Sequence, residues 1–440
     1  MKNPILTGIV LSLAIAGGCT ASKHAASDEL ASTWEAYDSF NRVYLDSAKY
    51  IYKNTNRDSV ATDRWNGAAA IWCQPMYVDM AMNASALAEK YGDKEKAGEY
   101  RELARKLLDG NIKQYSDFDF DNSNTNTGWF IYDDIQWWTI TLARAAEFFK
   151  DDRYRDLAEK SFARVWYGSP EVGDTGSYAD PSKNLGGGMF WQWQPLENPN
   201  PNGAGDGKMS CINFPTVVAA MLLHSLAPED RIADADPETW TNAYGDFKRP
   251  GYETGQRYLD MAKEIYDWSV VNLADSVTGM IHDNRHGENA GGHPLIYNQG
   301  TFIGASMLLY KATGDKRYLD LARKGADYSI DVMSAEHGLL PWAHNPERPY
   351  DQGSMEQGVY PAIWAQYMRM LADEVKDSDK YTSFITKNIE EGWKNRDLKS
   401  GICDGEAWNP TPADTIIGSY AASSTPALML LFPPQNNNSK

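Results

Sequence analysis

The stretch TVVAAMLLHSLA, residues 216–227, is apolar around nearly its whole circumference when it is placed on a helix. The stretch KEKAGEYRELARKLLDGN, residues 94–111, has the same helical period but carries its charges on one face. A helix of the first kind is buried on all sides, whereas a helix of the second kind keeps one face in solvent. Because the two kinds alternate along the chain, the sequence predicts an inner and an outer layer of helices.

Helical periodicity extends over most of the chain, and the alternation typical of β-strands is nearly absent. Clusters of Gly, Pro, Asn and Asp divide it into about twelve helical segments. The predicted outer helices cover 33–54, 94–115, 152–167, 251–273, 315–334 and 378–395, and the predicted inner helices cover 68–91, 133–150, 209–226, 296–313, 354–374 and 415–432.

Four outer helices share a repeated theme, Tyr-x-acid-apolar-Ala, in Tyr100–Ala104, Tyr154–Ala158, Tyr258–Ala262 and Tyr318–Ala322. Such repeats are typical of arrays in which each helix pair packs on its neighbours. Six pairs favour a closed (α/α)6 toroid, an all-α fold with six inner and six outer helices in one domain. An open superhelix of the same pairs has the same local pattern and is the alternative architecture.

The composition limits the classes of partner. The chain has 440 residues, of which 42% are hydrophobic, so it can bury a large core. Its 60 acidic and 42 basic residues give a formal net charge of −18, which argues against a nucleic-acid partner. The 15 Trp and 25 Tyr residues exceed what a helical core needs, and surplus aromatic rings favour neutral, ring-shaped ligands such as sugars.

The N-terminus has the pattern of an export signal. Lys2 precedes an apolar run that is too short to span a membrane, and small residues lead to Cys19 in the sequence AGGC. This resembles a lipobox, so we expect lipidation at Cys19 and a protein exported and anchored to a bacterial membrane; ordinary cleavage or an uncleaved anchor is the alternative. The predicted division is 1–18 signal peptide, 19–31 tether, 32–433 helical domain and 434–440 polar tail.

The loops that lead from an outer helix into an inner helix are long and rich in aromatic residues, Gly and amides, whereas the other loops are short and charged. We therefore expect the rich loops to converge at the N-termini of the inner helices and to form the functional site there. Core packing is the alternative role for each Trp. The candidate sugar-contacting residues are Trp72, Trp129, Trp191, Asn213, Tyr297, Asn298 and Gln299.

Asp133 and Asp134 are adjacent at the start of an inner helix and lie among aromatic residues. Hydrolysis of a glycosidic bond needs one carboxylic acid to protonate the leaving oxygen and one carboxylate to attack or to activate water. Two close carboxyls can divide these tasks, because the first charge makes the second costly. A helix cap is the structural alternative, since carboxylates are favoured at a helix N-terminus.

Motifs in order along the chain resemble those of glycoside hydrolase family 76, the endo-α-1,6-mannanases. The resemblance covers most of the domain, and one residue triplet, Glu356-Gln357-Gly358, departs from the family's Phe-Lys-Gly pattern. The matching segments are Tyr132–Trp138, which contains the paired aspartates, Gly187-Gly188-Met189-Phe190-Trp191, Lys208–Asn213 and Tyr297–Gly304.

This resemblance implies an (α/α)6 barrel that cleaves α-1,6-mannosidic linkages with retention of configuration. It implies that Asp133 is the nucleophile and Asp134 the general acid and base. Gly187 and Gly188, with the aromatic and amide residues named above, would line the sugar subsites. It implies no cofactor. We expect a neutral oligo- or polysaccharide substrate and a monomer, and endo or exo action stays open.

His282, Asp283, His286, Glu288 and His293 cluster in one rich loop. Their spacing would suit a metal on a helix, but the glycines around them favour a loop, so we expect no metal there. An enzyme acting on acidic sugars would need more Arg and Lys in the rich loops. A glycan-binding lipoprotein without catalysis would share every feature except the paired carboxylates.

Overall fold

The computed structural model describes residues 30–62, 66–122, 124, 129–192, 207–242, 245–286, 289–342 and 355–434. The predicted signal peptide, Cys19 and nearly all of the tether and tail lie outside these residues. The described chain forms two compact units. The central unit consists of residues 115–328, and the terminal unit consists of residues 30–114 and 329–434.

In chain order the described helices are α1 (Ala31–Tyr44), α2 (Gln74–Lys90), α3 (Lys94–Gln114), α4 (Tyr132–Phe149), α5 (Asp152–Tyr167), α6 (Ser210–Leu226), α7 (Gly255–Leu273), α8 (Ile296–Thr313), α9 (Lys316–Tyr328), α10 (Tyr360–Glu374), α11 (Asp379–Lys394), α12 (Ser419–Ala422) and α13 (Ser424–Leu431). The short strands are β1 (Leu45–Asp46), β2 (Ile51–Tyr52), β3 (Lys208–Met209), β4 (Glu238–Asn242), β5 (Gly245–Arg249), β6 (Asn284–His286) and β7 (Asn289–Gly291), and β1–β2, β3–β6, β6–β7 and β4–β5 pair antiparallel.

The central unit has α4, α6 and α8 as its inner helices and α5, α7 and α9 as its outer ones. The pairs α4–α5, α6–α7 and α8–α9 pack together, and α6 also packs on both α4 and α8. Every residue of α6 from Ser210 to Leu223 is buried, as its all-round apolar pattern predicts. Small residues on these helices, such as Gly300 and Gly304 of α8, leave room for neighbours to approach.

The terminal unit has α2, α10 and the pair α12–α13 inside, with α1, α3 and α11 outside. Helix α13 packs against α1, α2, α10 and α11. The inner helices begin close together, because Tyr77 Oη of α2 lies 3.0 Å from Ser419 Oγ of α12. Ser423, between α12 and α13, keeps helical φ and ψ values, and its N–H donates to the carbonyl of Ser419 at 3.0 Å, so the two segments continue as one inner helix. This inner helix begins at Ser419, four residues later than predicted.

The repeated theme of the outer helices forms their packed face. Its Tyr residues are buried and its Ala residues are fully buried, so both point away from solvent. The charged residues between them lie at the surface or in partly buried positions. The positions of this pattern are those predicted, at Tyr100, Tyr154, Tyr258 and Tyr318 and at Ala104, Ala158, Ala262 and Ala322.

The first predicted helix, 33–54, is too long. Helix α1 ends at Tyr44, and the chain then forms the β1–β2 hairpin. Asp46 Oδ1 accepts hydrogen bonds from the N–H groups of Ala48 and Lys49 at 3.0 and 3.3 Å, so a local side-chain turn replaces the helical hydrogen bonds. Tyr50 adopts a φ of 54°, which a continuing helix excludes.

Within the described residues, no helix combines the length and apolar character that a membrane-spanning segment requires.

Candidate active site

Asp133 and Asp134 occupy the first turn of α4, where they are 8% and 2% exposed. The chain enters this helix through Ile131, which has an extended conformation and bridges to Gln192. The N–H of Tyr132 donates to the carbonyl of Trp191 at 3.0 Å. The N-cap residue is Ile131 and neither aspartate, and the two carboxyls lie in the first turn, where the helix dipole favours their negative charge.

The second residues of the three inner helices of the central unit meet at this point. They are Asp133 of α4, Cys211 of α6 and Tyr297 of α8, and the Cys211 thiol lies within hydrogen-bond reach of both other side chains. Burial raises the pKa of Cys211 well above its usual range, and the charges of Asp133 and Asp283 add to the effect. The thiol therefore stays protonated and can donate its S–H to the Asp133 carboxylate.

A third carboxylate, Asp283, lies in the loop before β6. Asn298 Nδ2 donates to Asp283 Oδ1 at 3.0 Å, and the N–H of Ser210 donates to the carbonyl of Asp283 at 2.8 Å. The fully buried Asn298 thus fixes the orientation of this carboxyl. The sequence analysis considered Asp283 only as a possible metal ligand and missed this arrangement. The available signal was its position in the loop that leads to Tyr297-Asn298-Gln299-Gly300.

Asn213 and Gln299 are fully buried and use their amides inside the protein. Asn213 accepts from the N–H of Met189 at 2.9 Å and donates to the carbonyls of Met189 and Met209 at 3.1 and 2.8 Å. Gln299 accepts from the N–H of Ile281 and donates to two glycine carbonyls. Both side chains hold loops onto inner helices, so this geometry does not support the direct sugar contact predicted for them.

The two glycines of the Gly-Gly motif let the chain lie against an aromatic ring. Gly187 and Gly188 have φ values of 76° and 74°, and an added Cβ at either position would lie 2.6–2.7 Å from an atom of the Trp268 ring. Only glycine accepts both constraints at low cost. Gly187 and Gly188 are therefore required because the chain packs against Trp268. The sequence alone did not predict this contact.

The candidate Trp residues differ in their surroundings. Trp129 is fully buried between Phe118 and Phe120, so it fills the core of the central unit. Trp191 is partly exposed and remains accessible to a ligand. In the terminal unit, Trp72 donates from Nε1 to Glu356 Oε2 at 2.8 Å. Glu356 is the first residue of the triplet that departs from the family pattern.

A buried ion pair supports the start of α4. Arg164 and Asp174, which are 1% and 0% exposed, lie 2.8 Å apart, and Tyr132 Oη donates to the same Asp174 oxygen at 2.8 Å. Burial and the Asp174 charge raise the pKa of Tyr132 well above its usual range, so its hydroxyl stays protonated. Because Tyr132 immediately precedes Asp133, this contact positions the acidic pair.

Lys208 lies beneath the glycine loop. Its ammonium donates to the carbonyl of Leu185 at 2.5 Å and lies over the rings of Phe190 and Trp268. Burial, with a smaller contribution from the charge of Arg285, lowers its pKa from 10.5 to about 8. The site therefore has a weakly held proton close to the loop that carries Trp191.

The histidine-rich loop is only partly described. Among the residues with described positions, no group of three or more His, Cys, Asp and Glu side chains could hold a metal ion. Gly287 and Glu288 of the histidine-rich loop lie outside the described residues, while His282, Asp283 and His293 lie within them. Asp283 contacts Asn298, as described above.

The described structure places two buried, adjacent carboxylates at the start of an inner helix of a mainly helical chain. Residues 251–432 match the model of glycosyl hydrolase family 76. The resemblance to that family, predicted from the sequence motifs, is thereby confirmed. No curated protein sequence matches the chain.

Solved structures share the fold. An α-1,6-mannanase of Salegentibacter sp. HEL1_6 is 20% identical with a TM-score of 0.65, covering 91% of this chain and 98% of its own. A Listeria innocua protein is 19% identical with a TM-score of 0.67, covering 92% and 96%. A family 76 mannosidase of Bacteroides thetaiotaomicron is 18% identical with a TM-score of 0.62, covering 92% and 97%. The predicted (α/α)6 fold is confirmed.

Proposed function

We propose that this chain is a retaining glycoside hydrolase that cleaves α-1,6-mannosidic linkages, with Asp133 as nucleophile and Asp134 as general acid and base. The observation that carries the proposal is the burial of two adjacent carboxyls in the first turn of α4. The Salegentibacter relative supports it: a variant with two consecutive aspartates replaced is inactive and is in complex with α-1,6-mannotriose.

In the first step Asp134 gives its proton to the glycosidic oxygen while the carboxylate of Asp133 attacks the anomeric carbon. The bond from that carbon to the leaving oxygen breaks, and an ester to Asp133 forms. In the second step Asp134 takes a proton from water, the water oxygen attacks the same carbon, and the ester breaks. Two inversions retain the configuration.

The surroundings of the pair favour this division of roles. Two buried carboxyls at adjacent positions of one helical turn suit a division of roles, because ionising both together is costly away from water. The S–H of Cys211 is within reach of Asp133 and stabilises its ionised form. This contact supports Asp133 as the nucleophile and leaves the acid role to Asp134.

The test is hydrolysis of linear α-1,6-mannan by Asp133→Asn and Asp134→Asn variants, with product configuration followed by proton NMR. We expect each variant to lose about 10²–10⁴-fold in kcat or more, since each removes one of the two proton- or bond-transferring groups. Asp152→Asn is the matched control, because it alters the exposed member of another adjacent pair, Asp151-Asp152, at the start of α5.

Wild-type turnover in either active-site variant would exclude the catalytic roles. A product of inverted configuration would exclude the double-displacement mechanism but would be consistent with glycoside hydrolase activity. Binding of mannan without hydrolysis by the wild type would instead favour a glycan-binding protein.

We also propose that the protein is exported and anchored through a lipid on Cys19, on the evidence of the N-terminal sequence. Cys19→Ser should move the protein from the membrane fraction to the soluble fraction and should prevent incorporation of labelled palmitate. Unchanged membrane association of this variant would contradict the lipid anchor.

A further inference from the structure

The β4–β5 hairpin lies in the connection between α6 and α7. Glu238 and Arg249 are opposed at its base, and the rings of Trp240 and Phe247, two positions further along the strands, stack with their centroids 5.4 Å apart. Arg249 Nε donates to Glu238 Oε2 at 2.9 Å. These cross-strand contacts order the hairpin and give the Arg249 side chain a fixed direction.

The guanidinium of Arg249 joins the hairpin to two other parts of the central unit. Nη1 and Nη2 donate to the two carboxylate oxygens of Asp121 at 2.7 and 3.0 Å. Nη1 also donates to the carbonyl of Gly168, the residue that follows α5, at 2.9 Å. A charge-assisted pair with two parallel hydrogen bonds fixes direction as well as distance, and the ammonium of a lysine cannot reproduce it.

Asp121 connects Arg249 with the buried ion pair behind α4. Its Oδ1 lies 3.9 Å from Arg164 Nε, which donates to the carbonyl of the residue before Asp121 at 3.1 Å. Arg164 pairs with Asp174, and Asp174 accepts the hydroxyl of Tyr132, as described above. Charges of alternating sign therefore run from the hairpin to the residue that precedes the acidic pair.

Arg249 keeps Asp121 from competing for Arg164. Two carboxylates flank the Arg164 guanidinium, but Asp174 lies 2.8 Å from it and Asp121 lies 3.9 Å from it. Burial acts to raise the pKa of Asp121, but hydrogen bonds from Arg249 and Ser169 hold this pKa below its ordinary value, so the carboxyl stays ionised. Without Arg249, this charge would be drawn towards Arg164, whose buried position screens it poorly.

We propose that Arg249 is a positioning residue for the reaction. By holding Asp121, it leaves Arg164 paired with Asp174. Asp174 then keeps its contact with the Tyr132 hydroxyl, which fixes the first turn of α4 and the acidic pair within it. The inference rests on the proposed function for the reaction itself, but the order of this turn can be measured without substrate.

Amide hydrogen exchange of the full-length protein, followed by mass spectrometry, measures that order. The Tyr132 N–H donates to the carbonyl of Trp191 at 3.0 Å, so its exchange reports on the start of α4. In Arg249→Met we expect residues 131–138 to exchange about fivefold faster than in the wild type, while residues 296–303 at the start of α8 change by less than about twofold. Unchanged exchange of 131–138, or equal acceleration of both segments, would overturn the proposal.

Two further variants make the exchange experiment specific. Lys248→Met is the matched control, because it removes a positive charge from an exposed position of the same strand and should leave both segments unchanged. Arg249→Lys keeps the charge but loses the paired hydrogen bonds, so residues 131–138 should exchange about twofold faster, and this variant also carries the test if Arg249→Met does not fold. Equal acceleration by Lys248→Met and Arg249→Met would show that loss of charge alone is responsible and would overturn the role of Arg249.

Turnover of linear α-1,6-mannan tests the link to the reaction. Arg249→Met should lower kcat about fivefold and leave KM within about twofold of the wild-type value, because it disturbs the geometry of the reacting groups. In a Tyr132→Phe background the same substitution should lower kcat by less than about twofold, since both residues act through one series of contacts. Equal losses in the two backgrounds would mean that Arg249 does not act through Tyr132.

The kinetic and exchange measurements separate this inference from the proposed function. Faster exchange in Arg249→Met, in a protein whose wild type hydrolyses no mannan, would support the positioning role and exclude the proposed function. Normal hydrolysis by Arg249→Met, with unchanged exchange of residues 131–138, would exclude the positioning role and retain the proposed function.

Discussion

The central and terminal units have the same plan, three inner helix positions and three outer helices, but they use the starts of the inner helices differently. In the central unit the second residues of α4, α6 and α8 are Asp133, Cys211 and Tyr297, which form a tight polar cluster. In the terminal unit the corresponding region has the contact between Trp72 and Glu356.

The difference extends to the supporting contacts. The central unit places a fully buried Arg–Asp pair behind α4. In the terminal unit, the carboxylates of Asp404 and Glu406 accept from neutral donors, the N–H of Gly405 at 2.7 Å and Asn409 Nδ2 at 3.0 Å. A rigid, buried charge suits bond breaking, which requires fixed geometry. In the terminal unit, by contrast, Asp404 and Glu406 are partly exposed.

The largest difference that we expect between the two units is the effect of removing the buried ion pair between Arg164 and Asp174. Arg164→Met leaves Asp174 charged and buried, so the free energy of unfolding should fall by about 3–5 kcal/mol. Lys380→Met in the terminal unit removes an ion pair whose side chains are 43% and 58% exposed, and it should cost about 0–1 kcal/mol. Urea unfolding at pH 7 measures both, and similar losses would show that the two units do not differ in this respect.

A second prediction concerns the weakly held proton of Lys208. Its pKa is lowered from 10.5 to about 8, so between these values the unfolded chain binds more protons than the folded protein. The stability contribution of Lys208 therefore rises with pH across this window, and the folded protein carries the full cost of the buried ammonium below about pH 8. The total rise is on the order of 2–3 kcal/mol.

Lys208→Met should abolish that rise, which is measured as the change in the free energy of unfolding between pH 7.5 and pH 10.5 in variant and wild type. Lys324→Met is the matched control, because Lys324 also donates to a carbonyl, that of Ser276, but is exposed. An equal pH dependence in Lys208→Met and wild type would mean that Lys208 does not carry the shifted proton.

The alternation of helices could be predicted from the sequence because burial on one face or on all faces leaves a direct pattern of apolar residues. The position of the paired aspartates at the start of an inner helix was predictable for the same reason, because the apolar pattern of that helix begins beside them. The end of α1 was not predictable, since the helical period continues past Tyr44 while the turn at Asp46 depends on side-chain hydrogen bonds.

The roles of the buried Asn213 and Gln299 amides could not be predicted from the sequence either. Asn213 and Gln299 have side chains that could contact a sugar. Their partners are instead backbone atoms in loops and in α9, and five of these hydrogen bonds join residues that are 18–26 positions apart in the sequence. The Cys211 contact could have been found by aligning the starts of the inner helices, which places Asp133, Cys211 and Tyr297 at equivalent positions. Trp129 shows the converse case, an aromatic residue of a rich loop that fills the core.

A third prediction compares two buried Tyr hydroxyls at the starts of inner helices. Tyr132→Phe loses a hydrogen bond to the charged Asp174 and should cost about 1.5–3 kcal/mol, while Tyr77→Phe loses a neutral bond to Ser419 and should cost about 0.5–1.5 kcal/mol. Because Tyr132 positions Asp133, its variant should also lower kcat about tenfold with little change in KM. A loss confined to stability would leave Tyr132 as a structural residue only.

The smallest expected effect is on the reactivity of the cysteines. Burial raises the pKa of Cys403 to about 11 in the terminal unit and raises that of Cys211 well above its usual range in the central unit. Since the thiolate is the reactive form, native protein treated with iodoacetamide at pH 8 should remain unmodified at both positions and should keep its activity. Mass spectrometry of the tryptic peptides, with guanidinium-unfolded protein as the positive control, measures this. Modification of Cys211 but not of Cys403, with parallel loss of turnover, would show that the cluster around Asp133 opens to solvent more readily than the interior of the terminal unit.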